Sequence, residues 1–243
     1  MKKITLLSTA TLAAFALGAP AANAAVSQTL NVKLTSNKAG TKAKPTTVGI
    51  TVSTGTTGVA DSGLKEPVTY AKIMLPKGIS LNYKAFPACK AADGVGCADS
   101  APKSQVGSGT AKASIAGIDY EPSGVLTPFI GTGGKLFIRT QFNQPAVIDE
   151  PLVGKVSLKG GAYSFDFNVP SILQTPLPNQ DEQLIDFTVK FDKKTVKKGK
   201  KKIGLVDLTS CPKGGYVFKG EFVYKSGATS KPTFTLPCKA AKK

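Results

Sequence analysis

Short runs of alternating residues constrain the fold of this chain more than any other feature of its sequence. In residues 29–35 the apolar side chains of Leu30, Val32 and Leu34 alternate with polar ones, as in a strand with one buried face. Similar alternating or β-branched runs recur between Gly, Pro, Asn and Asp, and helical periodicity is nearly absent after residue 24. The pattern therefore predicts an all-β fold.

The runs predict about eleven strands, at residues 29–35, 47–53, 68–75, 107–118, 135–142, 153–158, 162–169, 184–191, 202–208, 216–224 and 233–236. Their number and spacing favour a two-sheet antiparallel β-sandwich, Ig-like or jelly-roll-like, with a barrel as the second choice. One β-sandwich domain over residues 25–238 is the first expectation. Two small tandem β domains, with a boundary near residues 100–105, are the alternative.

The amino terminus has the order of features that a secretory signal peptide requires. Lys2 and Lys3 precede an apolar run that ends near residue 17, and Ala22-Asn23-Ala24 is a small-x-small cleavage site. The apolar run is shorter than the roughly 20 residues of a membrane-spanning helix. We therefore predict a signal peptide at residues 1–24 and a mature protein that is secreted, extracellular or associated with the cell wall.

Four cysteines follow the predicted cleavage site, and an even number in an exported chain indicates disulfides. They are Cys89, Cys97, Cys211 and Cys238. Three connectivities are possible, and proximity in sequence favours Cys89–Cys97 and Cys211–Cys238. Loop closure would then contribute about 3 kcal/mol per bond to the free energy of unfolding. The cysteine spacing fits no zinc site, and we predict neither a bound metal nor a cofactor.

The composition excludes several classes of function. The chain has no histidine, which removes Ser-His-Asp and Cys-His catalysis and histidine-ligated zinc. Arg139 is the only arginine, although the formal net charge is +17. Readers of nucleic-acid sequence usually rely on arginine, so we expect no nucleic-acid partner. A lysine surface instead favours diffuse attraction to polyanions, or serves solubility alone.

A cluster of lysines is the strongest local bias. Seven of the ten residues at 193–202 are lysine, namely Lys193, Lys194, Lys197, Lys198, Lys200, Lys201 and Lys202. The segment joins two predicted strands, so we expect an exposed turn with Gly199 at its tip. Together with the basic tail, residues 239–243, it could bind an anionic cell-wall polymer or a membrane surface. The alternative is that these charges protect a sheet edge from pairing.

Acidic residues offer the remaining route to catalysis, because paired carboxylates hydrolyse glycosides without histidine. The candidate pairs are Asp149 with Glu150, Asp181 with Glu182, and Asp119 with Glu121. Immediate neighbours on a strand point to opposite faces, so a catalytic pair would need partners from distant segments. The loop at residues 179–182 could also bind calcium through oxygen ligands, although a solvated turn is the simpler interpretation.

Three segments around the cysteines resemble a group of uncharacterised secreted actinobacterial proteins with paired cysteines. These are residues 70–79, YAKIMLPKGI; residues 104–111, SQVGSGTA; and residues 210–224, SCPKGGYVFKGEFVY. The resemblance spans most of the mature chain and implies a β-sandwich outside the cytoplasm. It carries no activity or catalytic residue with it. One departure is Tyr216, where such proteins often have a tryptophan.

These features together predict a non-enzymatic secreted or cell-envelope-associated β-sandwich protein that binds anionic envelope polymers through its lysines. Two alternatives stay open. In the first, the sheets part to hold a hydrophobic ligand, and a large apolar cavity would favour it. In the second, carboxylates from distant segments meet in a cleft and form a hydrolase site. The sequence predicts no oligomeric state.

Overall fold

The computed structural model of the protein describes residues 26–58, 64–91 and 94–241. The predicted signal peptide, together with Lys242 and Lys243 of the predicted basic tail, lies outside the described residues. The described chain is all-β, and its named strands pair antiparallel, which confirms the fold class at that level. Among these residues, none of the helices is long and apolar enough to cross a membrane.

Twelve strands form one large sheet. They are β1 (Ser27–Leu34), β3 (Ile50–Thr57), β4 (Val68–Met74), β6 (Gly107–Ile115), β7 (Ser123–Ile130), β8 (Lys135–Phe142), β9 (Ile148–Lys159), β10 (Ala162–Asn168), β11 (Glu182–Phe191), β15 (Tyr216–Tyr224), β16 (Thr229–Ser230) and β17 (Thr233–Leu236). Their spatial order is β1-β3-β11-β6-β7-β8-β9-β10-β4-β15-β16, and β17 also pairs with β15.

The large sheet is nearly closed, because the strands at the two ends of this order meet. Strand β1 contacts β15, β16 and β17, and the backbone N–H of Gln28 donates a hydrogen bond to Ser230 Oγ at 2.9 Å. The predicted division into two sheets is not confirmed, since hydrogen bonds connect the twelve strands in a single path. Strands that precede residues 100–105 in the chain and strands that follow them are interleaved in this one sheet, and β11 lies between β3 and β6.

A buried polar network connects the strands at this seam, the place where β1 meets β15, β16 and β17. Gln28, 4% exposed, accepts hydrogen bonds at its Oε1 from the hydroxyls of Thr56 at 2.9 Å and Tyr224 at 3.1 Å. Its Nε2 donates to Thr54 Oγ1 at 3.0 Å. A buried polar group without a hydrogen-bond partner costs free energy. The side chain of Gln28 on β1 provides these partners to β3 and β15, and it thereby connects the three strands.

Two small sheets complete the fold. One joins β2 (Thr46–Val48), β14 (Val206–Leu208) and β5 (Ile79–Leu81), and it surrounds the buried carboxylate of Asp207. Asp207 accepts hydrogen bonds from Thr47 at 2.7 Å and Asn82 at 2.9 Å. The other is a hairpin of β12 (Thr195–Lys198) and β13 (Lys201–Gly204).

The alternating patterns are confirmed where they were clearest. Leu30 and Val32 of β1 are buried while their neighbours are exposed. Phe218, Phe222 and Tyr224 share the buried face of β15. Burial of every second residue is typical of a strand with one solvent-exposed face. The local sequence therefore predicts which side chains lie on the inner face of the sheet.

Strand β7 was missed by the sequence pattern because Pro128 interrupts it. A proline cannot donate to a sheet ladder and normally argues against a central strand. Here the β6–β7 ladder ends at Gly109 and Leu126, and the Pro128 carbonyl instead accepts from Val106 beyond the end of β6. Because the N and C=O of one residue face the same neighbour in an antiparallel ladder, the missing N–H falls beyond the last residue pair of the β6–β7 ladder.

Both disulfides have the connectivity that proximity favoured. Cys89 bonds Cys97 and Cys211 bonds Cys238, with Cα–Cα distances of 5.6 and 5.7 Å. Cys97 begins the short helix α1 (Cys97–Ser100), and the first pair packs in a small buried cluster against Phe129 and Phe137. No free cysteine occurs among the described residues.

Candidate functional site: an apolar cavity

An apolar cavity of about 120 Å³ lies inside the large sheet. Eight of the sheet's strands contribute side chains to its wall, namely β3, β4, β6, β8, β9, β10, β11 and β15. Most of the wall is aliphatic or aromatic, and it includes Leu136, Ile138, Phe165, Phe167, Phe187 and Phe222. The sheet therefore wraps around a space that its own side chains do not fill.

Small side chains on opposite walls leave this space open. Ala71 on β4 and Ala111 on β6 both line it, and neither reaches far from the backbone. Leu184 and Phe187 point into the same interior yet are only half-buried. Interiors are normally packed as densely as organic crystals, so a void of this size between apolar side chains is a distinct feature of the fold.

A pair of stacked rings forms one end of the cavity. The centroids of Phe165 and Phe191 are 6.1 Å apart, and the ring planes are 11° from parallel. Beyond them lies a second void of about 10 Å³, which Leu81 and Val206 of the three-stranded sheet also line. This second void has room for about one water molecule. The space for a ligand is therefore the larger cavity, on the other side of the two rings.

The two threonines in the wall both donate their hydroxyl hydrogens to backbone carbonyls. Thr54 Oγ1 donates to the Thr29 carbonyl at 2.7 Å and accepts from Gln28. Thr140 Oγ1 donates to the Ile138 carbonyl at 3.2 Å. Their methyl groups therefore act as part of the apolar wall.

Glu182 is the one ionisable residue in the cavity wall among the described residues. Burial raises the pKa of its carboxyl to about 8. The Glu182 side chain is half-buried, and the surface that it keeps accessible borders the cavity. The protein atoms packed around it are nevertheless dense enough to shift its ionisation. The described residues provide no hydrogen bond or ion pair to this carboxyl.

A cover segment, residues 169–181, crosses the end of the sheet next to Glu182. Its short helix α2 (Ser171–Gln174) contacts β4, β9 and β11, and its Leu173 lines the cavity. Asp181 fixes the end of the segment, because it accepts from Thr175 at 2.8 Å and pairs with Lys225 at 2.7 Å.

Comparison with protein-family models, with curated proteins and with solved structures finds no match to this chain. Function must therefore be inferred from the cavity, its side chains and the charged surface. The resemblance of the cysteine-bearing segments to secreted actinobacterial proteins stays a prediction.

The predicted lysine cluster is placed mainly on the hairpin β12–β13, with Gly199 at its tip in a left-handed conformation (φ 61°). Lys197 lies opposite Lys202, and Lys198 lies opposite Lys201. These four and Lys200 at the turn are exposed, and none forms an ion pair with a described residue. Like charges directly opposite each other destabilise a ladder. Because these lysines form no ion pair with a described residue, the hairpin is a basic surface whose charge is not neutralised.

The two lysines before the hairpin differ from one another. Lys193 is exposed, whereas Lys194 is half-buried and its Nζ donates a hydrogen bond to the Gln105 carbonyl. Lys194 therefore holds the base of the hairpin against the main sheet and is not free to bind a polyanion. In the basic tail, Lys239 pairs through its backbone with Lys38.

The carboxylate pairs that the sequence suggested lie in three different surroundings. Asp149 forms a two-point ion pair with Arg139, with N–O distances of 2.7 and 2.5 Å, and this partner lowers the pKa of Asp149. Asp119 and Glu121 are exposed. Asp181 is held by Lys225 while its neighbour Glu182 lines the cavity. The described residues contain no cluster of three or more groups that could hold a metal ion.

Sequence reasoning missed the cavity and the special position of Glu182. Glu182 was considered only as the partner of Asp181 in a carboxylate pair and as an oxygen ligand in the loop at residues 179–182. The alternation of Glu182 and Leu184 at the start of β11 was a usable signal, since it puts the carboxyl on the inner face. What the local pattern could not show is that the space in front of it is unfilled.

Proposed function

We propose that this protein binds a small apolar molecule in the cavity inside its large sheet. The supporting observation is a space of about 120 Å³ with an almost wholly apolar wall. In another protein, an engineered apolar cavity of about 150 Å³ stays dry and binds benzene. Pockets for drug-sized ligands measure about 300–1,000 Å³. The expected ligand is therefore about the size of benzene or toluene, which is smaller than the lipid that a carrier function first suggests.

The proposal places this binding outside the cytoplasm. Two disulfides are typical of oxidising compartments, and the predicted signal peptide would direct the chain there. In the predicted β-sandwich two layers face each other. Here the corresponding layers would be opposite walls of the one nearly closed sheet, held apart around the cavity.

A binding function without catalysis is part of the same proposal. Hydrolysis by paired carboxylates requires two acidic side chains about 5–10 Å apart. Among the described residues of the wall, Glu182 is the single carboxylate. It therefore supports a role in holding a ligand better than a role in a two-carboxylate reaction.

Thermal unfolding tests the cavity directly. Toluene or benzene at ten times its dissociation constant should stabilise the folded protein by about 1.4 kcal/mol, because it binds the folded state alone. For a domain of this size that corresponds to a rise in Tm of about 3–6 °C. Ala111→Leu should fill the cavity, raise the Tm of the free protein and abolish the response to toluene.

Ala113→Leu is the matched control. Ala113 lies two residues further along β6, is 1% exposed and does not line the cavity. Leucine there should overpack a filled region and cost about 1–3 kcal/mol, while the response to toluene persists. An equal toluene response in the wild type and in Ala111→Leu would contradict the proposal.

A second function is supported by the lysine hairpin. We propose that Lys197, Lys198, Lys200, Lys201 and Lys202 bind an anionic cell-wall polymer or an anionic membrane surface. The observation in favour is the two cross-strand lysine pairs that form no ion pair with a described residue, because an added polyanion would relieve their mutual repulsion. Lys193 could extend this surface, whereas Lys194 is engaged by Gln105.

Salt dependence tests the lysine hairpin. Replacing its five exposed lysines by Gln should weaken binding to isolated cell wall, to teichoic acid or to anionic vesicles, and the wild-type affinity should fall steeply between about 50 and 200 mM salt. A control variant changes the same number of exposed, unpaired lysines elsewhere, namely Lys33, Lys77, Lys112, Lys155 and Lys159. Equal losses in both variants would indicate net charge alone and would count against a site on the hairpin.

A further inference from the structure

The ligand site has one polar end. Glu182 opens strand β11 directly after the cover segment, and it lines the cavity together with Leu184 of the same strand and Leu173 of α2. The hydroxyls of Thr54 and Thr140, the other polar side chains of the wall, already bind backbone carbonyls. The carboxyl of Glu182 is thus the one polar side-chain group of the wall that makes no hydrogen bond with a described residue.

No neighbouring charge explains this carboxyl. Of the elements packed against the start of β11, α2 and β3 carry no titratable residue, and β6 carries Lys112, which is exposed and lies opposite Asp186 in the ladder. Asp181 is bound to Lys225. Burial is the single cause of the raised pKa of Glu182, so none of these groups compensates its charge.

An unpartnered carboxyl in an apolar space is unfavourable unless something in the space completes it. Burying a polar group without a hydrogen bond costs free energy, and burying a charge costs more unless it is paired. A hydrogen bond between an ammonium group and a carboxylate is roughly twice as strong as one between neutral groups. A guest with a cationic head and an apolar body would therefore satisfy the polar end and the apolar wall together.

We infer that the cavity selects a small molecule with an apolar body and a single primary amine, and that the amine binds Glu182. The inference rests on the proposed binding function and names its ligand class. Leu173, Phe187 and Phe222 would enclose the apolar body, and the carboxylate would accept the N–H groups. A molecule of about eight heavy atoms, such as benzylamine, has the size and chemistry that this space requires.

Proton release should accompany the binding of such an amine. Near pH 7 the Glu182 carboxyl is mostly protonated in the free protein, since burial raises its pKa to about 8. An ammonium ion would displace that proton, so about one proton should leave the complex at pH 7. Amine binding should therefore tighten as the pH rises toward 8, whereas binding of a neutral guest should not.

Three related probes separate the polar end from the cavity itself. Toluene tests the apolar space, benzyl alcohol adds a neutral polar head, and benzylamine adds the cationic head. Titration calorimetry of the wild type should give benzylamine an affinity about tenfold above those of the other two. In Glu182→Gln the preference for benzylamine should disappear while toluene still binds.

Each outcome bears on one statement. If the wild type binds toluene but holds benzylamine no more tightly, the amine inference is wrong and the cavity proposal stands. If benzyl alcohol binds as tightly as benzylamine, a neutral head is recognised and the inference is likewise overturned. Failure of every probe to bind the wild type would overturn the binding function itself. Calorimetry of benzylamine in two buffers of different ionisation enthalpy should show the released proton, and its absence would also contradict the inference.

Discussion

The free energy of unfolding should fall as the pH rises from about 5 to about 8, and Glu182→Gln should remove most of this fall. Burial raises the pKa of Glu182 from 4.5 to about 8 in the folded protein. Between these values the folded state holds a proton that the unfolded state has released, so raising the pH favours unfolding. The slope is at most about 1.4 kcal/mol per pH unit, and the full effect is on the order of 3–5 kcal/mol above pH 8.

Few other groups titrate in this window, because the chain has no histidine. Ion-paired Asp149 and Asp181 have lowered pKa values, so the stability they contribute is lost only when the pH falls through the acid range. Burial raises the pKa of Tyr224 to about 12, which puts its titration well above the window. Urea unfolding between pH 5 and about 9 should therefore report Glu182 selectively.

The control is Glu121→Gln, which removes an exposed carboxylate. Its unfolding free energy should follow the wild-type profile across the window. The result is decisive above pH 8, where Glu182→Gln should be more stable than the wild type. Parallel profiles for the wild type and Glu182→Gln would show that this carboxyl is not buried in an apolar cavity.

Gln28→Leu should destabilise the protein by about 2–5 kcal/mol, because it breaks the polar network that closes the sheet. The hydroxyls of Thr56 and Tyr224 would lose their acceptor in a region where both side chains are buried. Each buried polar group left without a partner costs about 1–3 kcal/mol. Removing the Tyr224 hydroxyl as well should recover part of the loss.

A double-mutant cycle measures this coupling. Gln28→Leu combined with Tyr224→Phe should cost less than the sum of the two single changes, by about 1 kcal/mol or more. Asn31→Leu on the exposed face of the same strand is the control, and it should change stability by less than about 0.5 kcal/mol. Strict additivity of Gln28→Leu and Tyr224→Phe would mean that the two side chains do not meet at the seam.

Sequence patterns predicted those features of the fold that depend on neighbours in the chain. Alternation placed Leu30 and Val32 on the inner face, and proximity gave both disulfide pairs. The lysine run with Gly199 gave an exposed turn. In each case the physical cause of the feature lies within one short segment. The causes are the pleating of a strand, the closure of a short loop and the conformational freedom of glycine.

Features that depend on distant segments were not predictable in this way. Alternation is the same in a strand of a two-layer sandwich and in a strand of one nearly closed sheet, so the path from β1 to β16 had to be observed. Strand β7 was hidden by Pro128, which is tolerated because the ladder between β6 and β7 ends before it. Local patterns identify strands, but they do not identify partners.

The cavity is a non-local feature of the same kind. Ala71 and Ala111 lie 40 residues apart in sequence, and only the pairing of their strands puts both against one interior space. Glu182 appeared in the sequence as one residue of an acidic turn. Its significance comes from the apolar wall in front of it, to which eight strands contribute.

The most direct test of the central claim is diffraction from a crystal of this protein pressurised with xenon. Xenon enters dry apolar cavities and is located by its strong scattering. We expect one xenon site between Ala111, Leu173 and Phe222 in the wild type, and no xenon there in Ala111→Leu. A chain of ordered waters in this space, or side chains that close it completely, would contradict the claim that the sheet encloses a binding cavity.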